Sequence, residues 1–302
     1  MNKNRLGQSD LYVSEIGLGC MSISTDEAKA ISIVHEALDQ GITFLDTADL
    51  YDEGRNEEII GKAIRHHRGD VILSTKVGNR RIPGQEGWSW DPSKSYIKSA
   101  VKDSLRRLQT DYIDLYQLHG GTIDDPIDET IEAFEELKQE GLIRYYGISS
   151  IRPNVIREYV KRSNIVSVMS QYSILDRRPE EEILPLLAAH GISLIARGPL
   201  AGGILSEKGR NKAEEKYLDY SSEELLKLHD RLMQETSPSR SLAQTALHYP
   251  LANPTVAIII PGASSMEQLK NNVTVAETAP LSSEEIEMIQ EMSNANRYTL
   301  HV

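Results

Sequence analysis

Short apolar runs of strand type alternate with longer amphipathic runs of helix type along almost the whole chain. Strands that alternate with helices pair in parallel, and eight such units close into a (β/α)8 TIM barrel. Branched aliphatic side chains fill the interior of such a barrel, and this chain is rich in them while holding only two Phe and two Trp. The eight predicted strands are Ile16–Gly19, Ile42–Leu45, Val71–Thr75, Tyr112–Leu118, Arg144–Ile148, Ile165–Met169, Leu194–Ala196 and Val256–Ile260.

Start signals locate several of the helices. Ser24 followed by Glu27 three residues later predicts a capping box, and Pro92 and Pro126 are predicted to open the third and fourth helices. An additional β-hairpin is predicted over Asn4–Val13, and no linker divides the chain, so residues 1–302 are predicted to form a single domain. Further helices are predicted over residues 56–66, 153–162, 179–190, 221–235 and 282–292, with a long loop over residues 78–92.

Composition limits the partners and the compartment. The net charge of −12 and the isoelectric point near 5.2 disfavour nucleic acid as a partner. The single cysteine, Cys20, cannot form an intrachain disulfide, which fits a reducing compartment. No apolar run approaches the ~20 residues that span a membrane, and no apolar signal core follows the first residues. We therefore expect a soluble cytoplasmic protein, whose oligomeric state stays open with a monomer favoured.

Four side chains are spaced as a proton-transfer site requires. Asp46, Lys76 and His119 each follow a predicted strand directly, and Tyr51 lies five residues after Asp46. The carboxyl ends of barrel strands converge on one face, where such enzymes carry out their chemistry. A tyrosine phenol has an ordinary pKa of about 10, and a neighbouring ammonium is expected to lower it towards neutrality. Asp46 can hold Lys76 charged, and His119 can orient a carbonyl group or help to relay the proton.

Several separated motifs resemble the aldo-keto reductase family. The resemblance runs through Asp46–Tyr51, Asn56–Gly61, Leu108–Leu115 and Leu118–His119 in the family's order, and extends from about residue 6 to residue 272. It implies a barrel enzyme that reduces aldehydes or ketones, with Tyr51 as general acid and NADPH as the cofactor, NADH remaining possible. The implied partner is a small carbonyl compound.

The resemblance also implies cofactor contacts on several loops. Ser149 and Gln171 match the positions that bind the nicotinamide amide, although turn formation would also explain these polar residues. Arg197 begins a Gly-rich loop that resembles the pyrophosphate site, and there it could stack on the ring, bind phosphate or pair with a carboxylate. The predicted cofactor-binding residues are Gly19, Cys20, Met21, Ser149, Gln171, Arg197, Gly198, Pro199, Leu200, Gly202, Pro261, Gly262, Ser264, Gln268, Asn271 and Asn272.

The segment after the last strand leaves the choice of cofactor open. Family members that prefer NADP(H) usually carry Lys or Arg there, whereas this chain has Gly262, Ser264 and Gln268, with Lys270 nearby. Hydroxyl and amide donors can still hold a phosphate, so NADPH is favoured. An ordinary helix cap would also explain the segment.

Trp88 and Trp90 lie on one loop and are predicted to form a lid or wall of the substrate pocket. Packing of the loop on its own tryptophans is the alternative. No ligand spacing for zinc is present, so no metal is predicted. The competing function is a regulatory protein that binds the cofactor with little turnover, because a fold does not fix a function. A barrel isomerase is disfavoured, since the site lacks a lone carboxylate base.

Overall fold

The computed structural model describes residues 1–82, 84, 86–235 and 240–302. The strands in these ranges are β1 (Lys3–Arg5), β2 (Tyr12–Ser14), β3 (Leu18–Gly19), β4 (Phe44–Asp46), β5 (Ile72–Val77), β6 (Asn79–Arg80), β7 (Ser89–Trp90), β8 (Ile113–Leu118), β9 (Ile143–Ser149), β10 (Ser167–Gln171), β11 (Ser193–Arg197) and β12 (Val256–Ile260). The α-helices are α1 (Glu27–Asp39), α2 (Arg55–Ile64), α3 (Lys94–Leu108), α4 (Ile127–Gln139), α5 (Pro153–Arg162), α6 (Ile183–Ala189), α7 (Ser222–Glu235), α8 (Leu242–Leu251), α9 (Met266–Val273) and α10 (Ser283–Met292).

Eight parallel strands form the barrel, in the order β12-β11-β10-β9-β8-β5-β4-β3. The two edges of this sheet meet through parallel bridges that join Ile16 to Ile259 and Gly19 to Gly262. A backbone hydrogen bond of 2.8 Å from Gly17 N to Ile259 O runs across the same seam. The predicted (β/α)8 barrel is therefore confirmed.

The predicted N-terminal hairpin is also present. Strands β1 and β2 pair antiparallel, and Asn4 Nδ2 donates to Ala257 O at 2.8 Å, near the start of β12. Leu6, Leu11 and Val13 are fully or almost fully buried and pack with the inward-facing barrel residues. Each such side chain contributes about 1.5–3 kcal/mol when it is buried. The hairpin thus fills the amino end of the barrel and leaves the carboxyl end open.

The start of the first helix differs from the sequence prediction. Asp26 caps α1 by accepting a hydrogen bond from Lys29 N at 3.0 Å, and helical residues begin only at Glu27. Ser24 Oγ instead accepts from Asp26 N at 3.2 Å. The predicted capping box of Ser24 and Glu27 is wrong, because an aspartate caps as well as a serine and stands directly before the helix.

Two other helix starts are shifted. Ser93, rather than Pro92, caps α3, with its Oγ accepting from Tyr96 N at 3.3 Å. Pro179 lies in a separate 3-10 turn, Arg178–Glu180, so α6 begins later than predicted. In both cases proline precedes the helix and limits how far it extends towards the amino end.

Two elements were absent from the prediction. Helix α8 opens with a complete capping box between Ser241 and Gln244, and Pro250 in its last turn obscures the helical pattern. Strands β6 and β7 form a small antiparallel hairpin inside the predicted loop of residues 78–92. Within the described ranges, no helix is long and apolar enough to cross a membrane.

Candidate active site

A cleft of about 1580 Å³ opens at the carboxyl ends of the barrel strands. Asp46, Tyr51, Lys76 and His119 all line it, together with the hairpin of β6 and β7 and the loops that follow β3, β8, β9, β11 and β12. Loops at this end of a barrel commonly carry the chemistry, since several strand ends point at one volume. The cleft is therefore the candidate site.

Lys76 lies at the centre of the predicted tetrad. Its Nζ lies 2.7 Å from Asp46 Oδ2 and 3.3 Å from Tyr51 Oη, and it donates to Thr47 O at 2.7 Å. The Lys76 and Asp46 side chains are only 1% and 4% exposed. The ammonium thus has one oxygen acceptor for each of its three protons. Three of the four predicted residues are in direct contact.

Strand residues behind Asp46 fix its second oxygen. Ser74 Oγ, on β5, donates to Asp46 Oδ1 at 3.0 Å, and Gln117 Nε2, on β8, donates to Ser74 Oγ at 2.8 Å. Both supporting side chains are fully buried inside the barrel. Asp46 is therefore held in one orientation towards Lys76.

Burial controls the pKa values of this cluster. It raises the pKa of the Tyr51 phenol above its ordinary value, and the Lys76 ammonium only partly opposes this rise. The expected lowering is wrong in direction, because desolvation of the phenolate outweighs one ammonium. Burial alone would lower the pKa of Lys76, but the Asp46 carboxylate and the Tyr51 oxygen raise it above the usual value. At neutral pH the cluster therefore holds a protonated phenol beside a charged lysine.

His119 completes the tetrad from the end of β8. Its ring stands edge-on to that of Tyr51, with centroids 6.0 Å apart and an interplanar angle of 86°. Burial, followed by the charges of Lys76 and Arg197, lowers the pKa of His119 to about 3. Its Nδ1 is buried and has no hydrogen-bond partner. Because Nδ1 is not accessible, the neutral imidazole can hydrogen-bond a carbonyl oxygen only through its other nitrogen, Nε2.

The backbone directly after Tyr51 is strained. Asp52 and Glu53 have φ of 46° and 58°, in the left-handed region that costs ordinary residues about 1–2 kcal/mol each. Gly54 follows at φ 87° and opens α2. Strain of this kind persists only where the surrounding structure enforces it. Here it turns the chain so that the phenol faces Lys76.

Three predicted cofactor residues lie on consecutive strand ends. Ser149 ends β9, Gln171 ends β10 and Arg197 ends β11, and all three line the cleft. Gln171 Nε2 donates to Tyr217 Oη at 2.6 Å, and Arg197 Nη1 donates to Gln171 Oε1 at 3.4 Å. Arg197 forms no ion pair with any described carboxylate, so the interpretation that it pairs with an acidic residue is not borne out.

The Gly-rich segment after β11 turns tightly along the cleft. Gly198 and Gly202 adopt φ of 64° and 68°, which favours glycine at both positions. Lys212 Nζ donates to Gly202 O at 2.8 Å and brings a cation to this part of the lining. The predicted Pro199 and Leu200 lie in the same wall.

The far end of the cleft is formed by the junction of β12 and α9. Ser264 donates to Gln268 Oε1 from both its backbone nitrogen and its Oγ, at 2.8 and 2.9 Å. Asn272 Nδ2 donates to Gly262 O at 3.1 Å. Lys270 does not line the cleft, and its Nζ lies 3.9 Å from Glu36 Oε1. The remaining predicted lining residues here are Pro261 and Asn271.

Two of the three residues predicted around the end of β3 reach the cleft. Gly19 and Met21 line the cleft, but Cys20 does not. The Cys20 side chain is completely buried, and its backbone oxygen accepts from Asn56 Nδ2 at 2.8 Å. Burial raises the pKa of its thiol well above the ordinary value. The predicted cofactor contact of Cys20 is therefore corrected to a packing role.

Both tryptophans line the cleft, next to the tetrad. Trp90 packs so closely that a Cβ at Gly78 or Gly120 would lie 2.5 or 3.3 Å from its ring. Its Nε1 donates to both carboxylate oxygens of Asp125, at 3.0 and 3.1 Å. Trp88 is 54% exposed at the rim. Trp90 thus anchors its loop by packing and at the same time forms part of the cleft wall. The sequence analysis gave these two roles as alternatives.

Sequence reasoning missed several lining residues. Tyr217, Lys208 and Lys212 come from the charged loop between β11 and α7, and Arg152 follows β9. Only tertiary folding brings these residues to the cleft, and no local pattern marks them. The described residues include no group of three side chains placed to hold a metal ion.

Comparison with known proteins agrees with this geometry. The model of the Aldo/keto reductase family matches residues 15–294. The chain is 60% identical to the uncharacterized oxidoreductase YqkF of Bacillus subtilis, over 100% of this chain and 99% of that protein. The holo form of aldo-keto reductase AKR11C1 from Bacillus halodurans superimposes with a TM-score of 0.95 at 61% identity, covering 100% of this chain and 99% of that one. The glycerol dehydrogenase AKR11B4 from Gluconobacter oxydans gives 0.85 at 26% identity, covering 96% and 94%. The chain therefore belongs to the aldo/keto reductase family of oxidoreductases, which act on carbonyl compounds.

Proposed function

We propose that this protein reduces aldehydes or ketones to alcohols with NADPH, that NADH can replace it, and that Tyr51 is the general acid. The observation that carries the proposal is the Lys76 ammonium, held between the Asp46 carboxylate and the Tyr51 phenol at the base of the cleft. A half-buried phenol that keeps its proton at neutral pH is suited to donate it to a developing alkoxide.

The reaction divides into roles for the chain's own residues. The neutral His119 ring hydrogen-bonds the substrate carbonyl oxygen and orients it towards Tyr51. Tyr51 Oη gives its proton to that oxygen, and the Lys76 ammonium stabilises the resulting phenolate. Asp46 keeps Lys76 charged and in place. A reduced nicotinamide, when bound, would supply the hydride for the carbonyl carbon. The proton-transfer part of this scheme is worth about 10²–10⁴ in rate.

The cleft residues fit a dinucleotide of this kind. Ser149 and Gln171 present hydroxyl and amide groups beside the tetrad, where a carboxamide would bind. Arg197 offers a planar cation without a carboxylate partner among the described residues, suited to stacking or to binding phosphate. The open turn at Gly198 and Gly202 leaves room for a pyrophosphate.

The preference for NADPH rests on donors rather than on a dedicated arginine. Ser264 and Gln268 hydrogen-bond each other, which leaves the Gln268 amide nitrogen without a partner among the described residues. Lys208 and Lys212 also line the cleft, although Lys208 contacts Glu267 at 3.1 Å. These groups can hold a 2′-phosphate without excluding a free ribose hydroxyl, so we expect both cofactors to work.

The test is oxidation of NADPH and of NADH by the purified protein with small aldehydes, nitrobenzaldehyde and methylglyoxal among them. Tyr51→Phe is expected to lower kcat by ~10²–10⁴ while cofactor binding persists. Tyr12→Phe is the matched control, since Tyr12 is 57% exposed on the hairpin and should keep full activity.

The outcomes separate the alternatives. Tight cofactor binding with negligible turnover across many carbonyls would favour a regulatory, cofactor-sensing protein instead. Turnover that Tyr51→Phe leaves intact would show that the acid is another group. We also predict a single cytoplasmic domain that acts as a monomer. Sedimentation of the purified protein tests the monomeric state.

A further inference from the structure

Arg152 places a cation in the lining of the cleft, beside the loops that follow β8 and β9. It follows β9, directly before α5, and its half-buried side chain is part of the lining. Its Nη1 donates to Gly121 O at 2.5 Å, which ties the loop after β9 to the loop after β8. The guanidinium is therefore held at a fixed place beside the loop that begins with His119.

This arginine differs from its neighbours in lacking an acidic partner. Arg157 and Arg162, both on α5, form ion pairs with Glu182 and Glu158. No carboxylate in the described ranges makes such a pair with Arg152. A guanidinium has five N–H donors, and the contact with Gly121 uses one of them. In a chain of net charge −12, an unpaired cation in a cleft attracts an anion that is not part of the protein.

The position of Arg152 relates this anion to the reacting carbonyl. Gly121 lies two residues after His119, and two residues span at most ~7 Å of chain. The Trp90 ring packs against the intervening Gly120. Ile151 adds an apolar side chain, 38% exposed, to the same lining. Trp90 and Ile151 thus give the lining near the guanidinium an apolar part, beside the polar Ser149, Ser150 and Thr122.

We infer that the preferred substrates are carbonyl compounds with a carboxylate at the far end of a short apolar chain or ring, and that Arg152 binds this carboxylate. The inference rests on the proposed reduction. The planar fork of the guanidinium matches the two oxygens of a carboxylate, whereas a neutral substrate leaves it without a partner. Arg152 is a specificity-determining residue in this scheme and takes no part in proton transfer.

The kinetic test compares 4-carboxybenzaldehyde with its neutral methyl ester. The wild type should favour the carboxylate, and Arg152→Gln should reduce that preference about 10- to 100-fold, mainly through a higher KM. Arg152→Lys should recover part of the preference, and reduction of the ester should change less than about twofold. Arg65→Gln removes the same charge from an exposed residue directly after α2, outside the cleft lining. It should leave the reduction of both substrates unchanged. An equal loss on both substrates, or no loss, would overturn the inference.

A binding test keeps the inference separate from turnover. Both tryptophans of the chain line the cleft, so its intrinsic fluorescence reports this region. Hexanoate should perturb the fluorescence at lower concentration than hexanamide, and Arg152→Gln should abolish that difference. If Arg152→Gln abolishes this difference but the wild-type protein reduces no aldehyde, the anion site is supported and the proposed reductase function is not. If hexanoate and hexanamide bind alike, the anion site is wrong whatever the turnover.

Discussion

The two ends of the barrel treat buried charge in different ways. At the amino end, the buried Asp114 carboxylate accepts from Arg144 Nη1 and Leu73 N, at 2.8 and 3.0 Å, and contacts Arg68 Nη2 at 2.8 Å. Both of its oxygens are engaged. The hairpin of β1 and β2 then covers the barrel interior at this end.

At the carboxyl end, one ion pair is similarly complete, but polar groups around it are left open. Asp46 and Lys76 satisfy each other, while His119 Nδ1 is buried without a partner. Arg152 and Arg197 lack carboxylate partners in the described part of the chain. An unsatisfied buried polar group costs stability. The amino end also has one, Ser167 Oγ at the start of β10, but there the group is a neutral hydroxyl and not a titratable ring. The comparison indicates that the amino end supports stability and the carboxyl end supports function.

The strongest test of this division is Lys76→Met. It leaves the buried Asp46 carboxylate without its ammonium, which should cost about 3–5 kcal/mol of unfolding free energy and ~10²–10⁴ in kcat. The double variant Asp46→Asn, Lys76→Met should recover most of the stability and none of the activity. Urea unfolding and steady-state kinetics measure the two effects, with the exposed Lys29→Met as control. Recovery of activity in the double variant would contradict the role of the pair.

A smaller and purely structural effect is expected from Asp114→Asn. It removes the charge that holds Arg68 and Arg144, whose side chains are 16% and 39% exposed and therefore partly hydrated. Loss of about 2 kcal/mol of unfolding free energy is expected, with kcat within twofold of the wild type. A clear fall in kcat in the folded variant would show that the two ends are coupled and would break the comparison.

The barrel could be predicted from the sequence because its strands are short buried runs in regular alternation with helices. Prediction failed where local signals competed. Asp26 and Ser24 are both good caps two residues apart, and the sequence does not reveal that the helix starts after Asp26. Pro250 conceals the last turn of α8, although the capping box at its start was readable.

The site was predictable where its residues lie at the carboxyl ends of strands: Asp46 ends β4, Lys76 is the penultimate residue of β5, and His119 directly follows β8. The direction of the Tyr51 pKa was not, because it depends on how deeply the phenol is buried, which no spacing reveals. Arg152 also escaped notice, since its importance lies in having no acidic neighbour in the folded chain.

Asp49 sharpens the comparison, because it is the counterpart of Asp114 at the carboxyl end. Its Oδ1 is buried without a hydrogen-bond partner. Burial raises the pKa of Asp49 to about 8, the Glu57 carboxylate adds to the rise, and Arg107 and Lys76 oppose it. Whereas Asp114 contacts two guanidinium groups, Asp49 has no such contact within the described residues and is more stable with its proton.

This difference predicts how stability depends on pH. The pKa of Asp49 is near 4 in the unfolded chain and about 8 in the folded one, so the folded state binds the proton more tightly. The stabilisation is complete below pH 4 and is lost as the pH rises to 8. Asp49→Asn should remove this loss, so its advantage over the wild type should grow by about 1–2 kcal/mol between pH 5 and pH 8.5.

Urea unfolding at a series of pH values measures the effect, with the exposed Asp39→Asn as the matched control. The expected effect is limited to about 1–2 kcal/mol because water can reach the partly exposed side chain once it is charged. Parallel stability curves for Asp49→Asn and the wild type would mean that the carboxyl finds a partner when it ionises. The carboxyl end would then be as well satisfied at this position as the amino end is at Asp114.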